Sequence, residues 1–486
     1  MKKERCFSHF SLALGMLAAL TASCLLSAPA GFAQNGLPMK TAAPVRLTVA
    51  PNVSSPISMR TLPNAACVLH VEGMTDAQHK LFADDEGMIR FYVHPSAESE
   101  GAAHFELDCA ADGKITMFPL HLRSSSSPTA AMPAPAEEIA KTRPGAWVRA
   151  ALTEDEASQL STEELAMRGY PIRPDPKQAP DAFATWRKAV TKASTFVPAR
   201  LVINPGVTHI TSPVIASPRK ASPSTDIVCL LACVDSTANW SGYVLQGPAG
   251  SYDLVEGLWN VPAVQPEHDN QNTACCYKTV YSSYWIGLNG YGNPSPLVQD
   301  GTEQDVTDYY VTVCIPFTSI CTGEHYDVYS YVAWTEIVPQ QPSEEVISSV
   351  AVDPGDEIYS EVWLGNPGGF PTAGGADGFF YIENLTRSEY TLFHQPIVTT
   401  PTDVGSTAEW IMERPTVNGA LPDLADYGVA SMSDAYALST TGNWVCYDCA
   451  ANDQVWMYEF GSTGDLLSEV YPATASSMEF IWTNFH

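Results

Sequence analysis

A two-residue hydrophobic period recurs through the second half of this chain and constrains its fold more than any other feature. Tyr326, Val328, Ser330, Val332, Trp334 and Glu336 fall on one face of an extended run, because successive strand side chains point to opposite sides. Ile358-Tyr-Ser-Glu-Val-Trp-Leu364 and Phe379-Phe-Tyr-Ile-Glu-Asn-Leu385 are further strand candidates. Gly, Asn, Pro and Asp punctuate them, and no convincing amphipathic helix interrupts. A stretch of this kind, from about Leu231 to His486, predicts an all-β unit of two stacked antiparallel sheets. No repeat of propeller or solenoid type is evident.

The 486 residues exceed one average domain. Residues 1–33 read as an export signal: Lys2, Lys3 and Arg5, an apolar run from Leu12 to Leu26, then small residues from Ala28 to Ala33. That run is shorter than the roughly 20 residues of a membrane span, and nothing later replaces it. Cys24 lacks the aliphatic residue of a lipoprotein site three places before it, so free export is expected, to the outside or to a periplasm. Residues 34–125 predict a small β domain, with Cys67-Val-Leu-His-Val71 and Met88-Ile-Arg-Phe-Tyr-Val93 as strands and a Cys67–Cys109 bridge within it. Ten cysteines remain after the signal, an even number that predicts disulfides in an oxidising compartment. Cys446 and Cys449 lack a second pair and a nearby His, so a disulfide or a turn is expected there rather than zinc.

Residues 126–230 differ again. A Ser/Pro/Ala-rich linker (Ser124 to Pro135) precedes two short helical stretches, Thr162 to Ala166 and Asp181 to Ala193, set among Pro-rich pieces. This region holds much of the chain's positive charge, including Arg168, Arg173, Lys177, Arg187, Lys188 and Lys192. The region 231–486 holds only three basic residues, Lys278, Arg387 and Arg414, against 33 acidic ones, a formal charge of −30. The rest of the chain is nearly neutral. Such an acidic unit is a poor ligand for nucleic acid or an anionic membrane. In acid its carboxylates neutralise, and almost no cations remain to drive it apart.

The common hydrolase signatures are missing: no Gly-x-Ser-x-Gly, no His-Glu-x-x-His, no Asp-Thr-Gly or Asp-Ser-Gly loop and no phosphate-binding Gly loop. Carboxylates and amides are the working groups left. Glu409, Ile411 and Glu413 would share a strand face, as would Leu297, Gln299 and Gly301, with Gly301 leaving room for a substrate backbone.

An ordered set of motifs runs through residues 236–440. Asn239-Trp-Ser-Gly-Tyr243 is followed by Gly257-Leu-Trp-Asn-Val-Pro262, Tyr284-Trp-Ile-Gly-Leu-Asn-Gly290 and Leu297-Val-Gln-Asp-Gly301. Ala333-Trp-Thr-Glu-Ile-Val-Pro339, Glu383-Asn-Leu-Thr386 and Ala408-Glu-Trp-Ile-Met-Glu413 complete it. In content and order the set resembles the glutamic peptidases, or eqolisins, with Asn289 and Val298 as departures. The resemblance implies a two-sheet, lectin-like (concanavalin) jelly roll and a lead segment removed on maturation, here the basic region before Cys233. It places the catalytic pair on Gln299 and Glu413, and the substrate groove on Trp285 and Glu336. Glu409, on the Glu413 face, is a further substrate-binding candidate.

The activity so implied is a pepstatin-insensitive acid endopeptidase acting on protein or peptide substrates, secreted as a precursor, expected to be a monomer, and needing neither metal nor organic cofactor. Glu413 would take a proton from an attacking water, and the Gln299 amide would donate to the oxyanion. Two other readings stay open on the residues: a non-catalytic glycan-binding sandwich, and a glycoside hydrolase using Glu336 and Glu413. Histidines such as His268, His325 and His394 lack metal-ligand spacing and receive no role.

Overall fold

The computed structural model describes residues 45–49, 54–71, 79–95, 102–111, 114–124, 145–210, 234–268, 277–292, 296–314, 321–366, 370–372, 375–398, 405–450, 452–461 and 464–486. The export signal and most of the Ser/Pro/Ala-rich linker lie outside the described residues. All described residues belong to one compact unit, Ala42–His486.

Two antiparallel sheets form a sandwich. The first runs, in spatial order, Cys321–Val338, Leu297–Cys314, Tyr277–Leu288, Thr407–Glu413, Trp240–Gln246 and Asn452–Tyr458. The second runs Glu389–Pro396, Asp377–Asn384, Glu357–Gly365, Tyr252–Asn260, Val429–Ser439 and Ser477–Trp482. Leu466–Thr474 pairs with the last strand of each and joins the sheets along one side. Alternation decides what lies between them. Ala408, Trp410 and Met412 point inward, as do Tyr284, Ile286 and Leu288, and they meet Trp259, Val362, Phe380 and Ile382 from the opposing sheet. The two outer faces carry the intervening residues: Glu409, Ile411 and Glu413 on one sheet, Tyr359, Glu361 and Trp363 on the other.

The segment 145–193 lies against the outer face of the second sheet. Its helices are Glu154–Gln159, Thr162–Met167 and Pro180–Val190. The latter two answer the sequence expectation. The first was not foreseen, although Thr153 and Glu156 form the same reciprocal cap as Ser161 and Glu164. Ile172, Ala182 and Ala189 pack on Tyr359, Trp363, Phe379 and Tyr381.

Residues 45–124 contribute a five-stranded sheet, closed by the expected Cys67–Cys109 disulfide. They do not stand apart from the sandwich. The strand Met88–Pro95 pairs with Tyr326–Tyr329, where the long hairpin of Leu297–Cys314 and Cys321–Val338 extends past the sandwich. Tyr309, Tyr326 and Val328 of that hairpin share one apolar cluster with Leu69, Phe91 and Phe105. Cys446 and Cys449 are disulfide-bonded. Among the described residues no helix is long and apolar enough to cross a membrane.

Candidate active site

Four adjacent strands of the first sheet bring the predicted residues onto its outer face. Register sets Gln299 between Glu336 and Gly287, Trp285 between Gly301 and Ile411, and Glu413 between Ser283 and Trp240. Two glycines are required by close approach. A Cβ on Gly287 would lie 3.1 Å from Gln299 Cβ and 3.0 Å from Leu297 Cδ1, so its absence gives the Gln299 side chain its place. A Cβ on Gly301 would lie 2.5 Å from Trp285 Cβ. Gly301 therefore accommodates Trp285 rather than a substrate backbone, contrary to expectation.

This face is covered by the chain's own segment Asn204–Ile210. Val207–Thr208 pairs antiparallel with Thr416–Val417. Glu344 N–H donates to Val207 O (2.9 Å), and Asn418 N–H donates to Gly206 O (2.6 Å). Lys80, from the five-stranded sheet, donates to Pro205 O. The segment is thus held as an added strand, with main-chain bonds on both sides.

Thr208 and His209 engage the predicted site directly. Thr208 Oγ1 and His209 N–H donate to the two Glu336 oxygens at 2.6 and 2.7 Å. The Gln299 Nε2 amide donates to the His209 carbonyl oxygen at 3.1 Å. The His209 ring lies 3.1 Å from Glu413 Oε2 through Nδ1 and 2.8 Å from Glu344 Oε2 through Nε2. It stacks on Trp334 with centroids 3.6 Å apart and planes 6° from parallel. Trp285 Nε1 donates to Glu413 Oε2 at 2.7 Å, and Asn239 Nδ2 approaches Glu413 Oε1 and Ile210 O, each at 3.4 Å.

Gln299, Glu413 and Glu336 are thereby brought together around one residue, His209, with Trp285 bonded to Glu413, and all four are buried. Glu409 is buried on the same face, but no hydrogen bond joins it to this group among the described residues. Burial raises its carboxyl well above the ordinary range. Trp259, by contrast, faces the sandwich core.

The charges are strongly coupled. Burial alone would push the His209 imidazole down, but Glu413 and Glu344 outweigh it and raise it to about 10. Burial raises Glu336 to about 7 against the pull of His209 and Thr208. It also raises Glu413, against the pull of His209 and the Trp285 indole donor. The Gln299 carboxamide oxygen is buried with no hydrogen-bond partner among the described residues, an acceptor left open.

Residues 238–476 match the model of the Peptidase A4 family. That part of the chain belongs to the family. Peptidase A4 enzymes are glutamic endopeptidases, so this is the activity class of the region. The region resembles solved scytalido-glutamic peptidase bound to a transition state analog inhibitor, at 17% identity over 51% of this chain and 100% of that one, with a TM-score of 0.37. SCP-B, an eqolisin solved with the tripeptide Ala-Ile-His, gives 17%, 51%, 100% and 0.35. Aspergilloglutamic peptidase from Aspergillus niger gives 20%, 42%, 99% and 0.31. No match was found among curated proteins.

In the Peptidase A4 region of this chain, Asn289 adopts φ +72° and bonds Pro296 O and Ser406 N–H, so it shapes a turn beside the Gln299 strand. His209, Glu344, Glu303 and Trp334 were missed as site residues. His209 lies 204 residues from its Glu413 partner, in a stretch noted only for its basic character. No local pattern marks it. The fold also gathers histidines without sequence spacing: His268, Asp308 and His325 offer ligand atoms within 4.8 Å of one another, as do His209, Glu303 and Glu344.

Proposed function

We propose that this protein is a secreted precursor of an acid endopeptidase that hydrolyses peptide bonds by direct water attack, with Gln299 and Glu413 as its catalytic pair. The observation that carries this reading is the Gln299 amide donating at 3.1 Å to the carbonyl of a peptide lying beside Glu413. An amide so placed would donate more strongly as that oxygen becomes an oxyanion. Water held between Glu413 and the free Gln299 oxygen would add to the carbonyl carbon while Glu413 takes its proton. Glu413 would return that proton to the amide nitrogen as the C–N bond breaks, releasing a carboxylic acid and an amine. Glu336 accepts from a main-chain N–H as well as from the Thr208 hydroxyl, and that main-chain bond suits a peptide better than a sugar.

In the intact chain the site is closed. His209 Nδ1 and the Trp285 indole hold Glu413 Oε2, leaving Oε1 for the attacking water, and the imidazolium charge is balanced by Glu413 and Glu344. Burial raises both Glu413 and Glu336 in the closed state, so acid favours their protonated, covered forms, and opening follows cleavage of the segment rather than protonation. Once water enters, burial no longer lifts Glu413, so it can ionise in mild acid.

The test is hydrolysis of a denatured protein at about pH 3 and pH 7, with pepstatin present, by wild type, Gln299→Ala and Glu413→Gln. Cleavage confined to acid and abolished in both variants is expected. A wild type that cleaves nothing after acid exposure would favour the binding-module reading. Activity surviving in Gln299→Ala would remove the pair.

A further inference from the structure

The segment over the active site also reports what the site recognises beside the scissile bond, an inference that rests on the peptidase reading above. His209 is the residue whose carbonyl meets Gln299, so its side chain occupies the pocket that a substrate's acyl-side residue would fill. That pocket is completely buried. Its floor is the Trp334 indole, parallel to the imidazole at 3.6 Å. Glu344 lies at Nε2 (2.8 Å), with the Glu303 carboxylate 3.6 Å from the same nitrogen. Glu413 faces Nδ1 at 3.1 Å. Both Glu303 oxygens are buried with no hydrogen-bond partner among the described residues, leaving capacity for a donor from within the pocket.

We infer that Trp334, Glu344 and Glu303 form a specificity pocket selecting a protonated histidine as the residue that supplies the scissile carbonyl, and that the chain's own His209–Ile210 bond is its first substrate. Each element excludes another side chain. A phenyl ring stacks on the indole but offers no N–H, leaving buried carboxyl oxygens without donors. A lysine ammonium is a single point charge on a flexible stem, without the flat face the indole receives. Only an imidazolium presents a flat ring with N–H groups at two edges. Sites built to satisfy a substrate's hydrogen-bonding groups discriminate far more strongly than apolar pockets do. Processing is ordinary hydrolysis: water oxygen bonds to the His209 carbonyl carbon, the bond to the Ile210 nitrogen breaks, and that nitrogen takes the proton as a new amino terminus.

The full-length chain, exposed to about pH 4, would be given quenched fluorescent peptides identical except for His, Phe, Lys or Gln at one position. Mass spectrometry would locate the cut, and N-terminal sequencing would define the processed chain. A kcat/KM for the His peptide at least about tenfold above the others, cleavage after that His, and a new terminus at Ile210 are expected. Glu344→Gln is expected to lower the ratio of His to Phe cleavage. Equal rates on all four peptides, cutting elsewhere, a ratio unmoved by Glu344→Gln, or a terminus other than Ile210 in an active enzyme would overturn the assignment. Those results would leave the peptidase reading standing. Loss of the reading itself looks different: no peptide and no denatured protein is cut, or Gln299→Ala still cuts.

Discussion

The two outer faces of the sandwich are each covered by the preceding chain, and each receives one fully buried cation from it. On the first sheet the cation is His209, between Glu413 and Glu344. On the second it is Arg149, which reaches both Glu383 oxygens at 3.0 and 3.1 Å and the Tyr381 hydroxyl at 2.8 Å. Arg149 also sits over the Tyr170 and Tyr390 rings, 5.0 and 4.2 Å from their centroids. Both are fully desolvated, yet they differ in kind. A guanidinium does not give up its charge, and it carries a fork of donors spread over a carboxylate, a phenol and the carbonyls of Gly169 and Ala189. The imidazole face is crowded with carboxyls lifted by burial, Glu413, Glu336 and Glu303 among them, and an imidazolium, unlike a guanidinium, can give up its proton. The Arg149 face is built to stay closed and the His209 face to open.

The strongest test of this contrast replaces one carboxylate on each face. Glu413→Gln is expected to lower kcat by at least about a hundredfold, with little change in the unfolding midpoint. Glu383→Gln is expected to do the reverse. It strands a buried guanidinium, at about 3–5 kcal/mol of stability, measurable by denaturant unfolding, while turnover per folded molecule is retained. Similar losses in both variants and both measurements would erase the distinction.

A smaller effect follows from proton linkage. Glu336 is raised to about 7, Glu361 to about 8, and Asp356 and Asp434 to about 6, each chiefly by burial. The folded state therefore holds protons that the unfolded chain gives up. Stability from these groups is complete below their ordinary values near 4 and is lost as pH rises through 6 to 8. Glu336 alone corresponds to ~3 kcal/mol. The thermal midpoint of an inactive Gln299→Ala chain is expected to rise by about 5–10 °C between pH 8 and pH 4; a fall would contradict the burial argument.

The smallest effect concerns the five-stranded sheet. His79 is buried with Nδ1 at 2.6 Å from Thr307 Oγ1, and burial lowers it to about 3. Its sign is opposite: stability is present above about 6.5 and lost as pH falls toward 3. Limited proteolysis of residues 54–95 in the Gln299→Ala chain is expected to accelerate as pH falls from about 6 toward 3. His79→Gln should blunt that acceleration.

The sandwich was legible because its strands alternate cleanly, and each inward set, such as Ala408, Trp410 and Met412, is apolar throughout. Gln299, Glu413, Glu336 and Trp285 were legible through the order of their motifs. What escaped depends on pairings distant in sequence. Nothing near His209 announces Glu344 or Glu413, and nothing near Met88 announces that its strand borders Tyr326–Tyr329. Glu409 shows the limit of face counting: it shares the Glu413 side of the strand yet makes no bond to the group around His209. Gly301 shows another, since a missing side chain records close approach without saying by what.

One consequence concerns the parts left after a cut behind His209. Upstream of it, Leu201–Ile203 is zipped to Glu345–Ile347 and Ser194–Phe196 to Glu389–Tyr390, with Arg149 clasped beyond. Severing one covalent bond undoes none of these attachments. The processed protein would behave as a nicked heterodimer of its own two pieces: two bands in a denaturing gel, one peak on a sizing column.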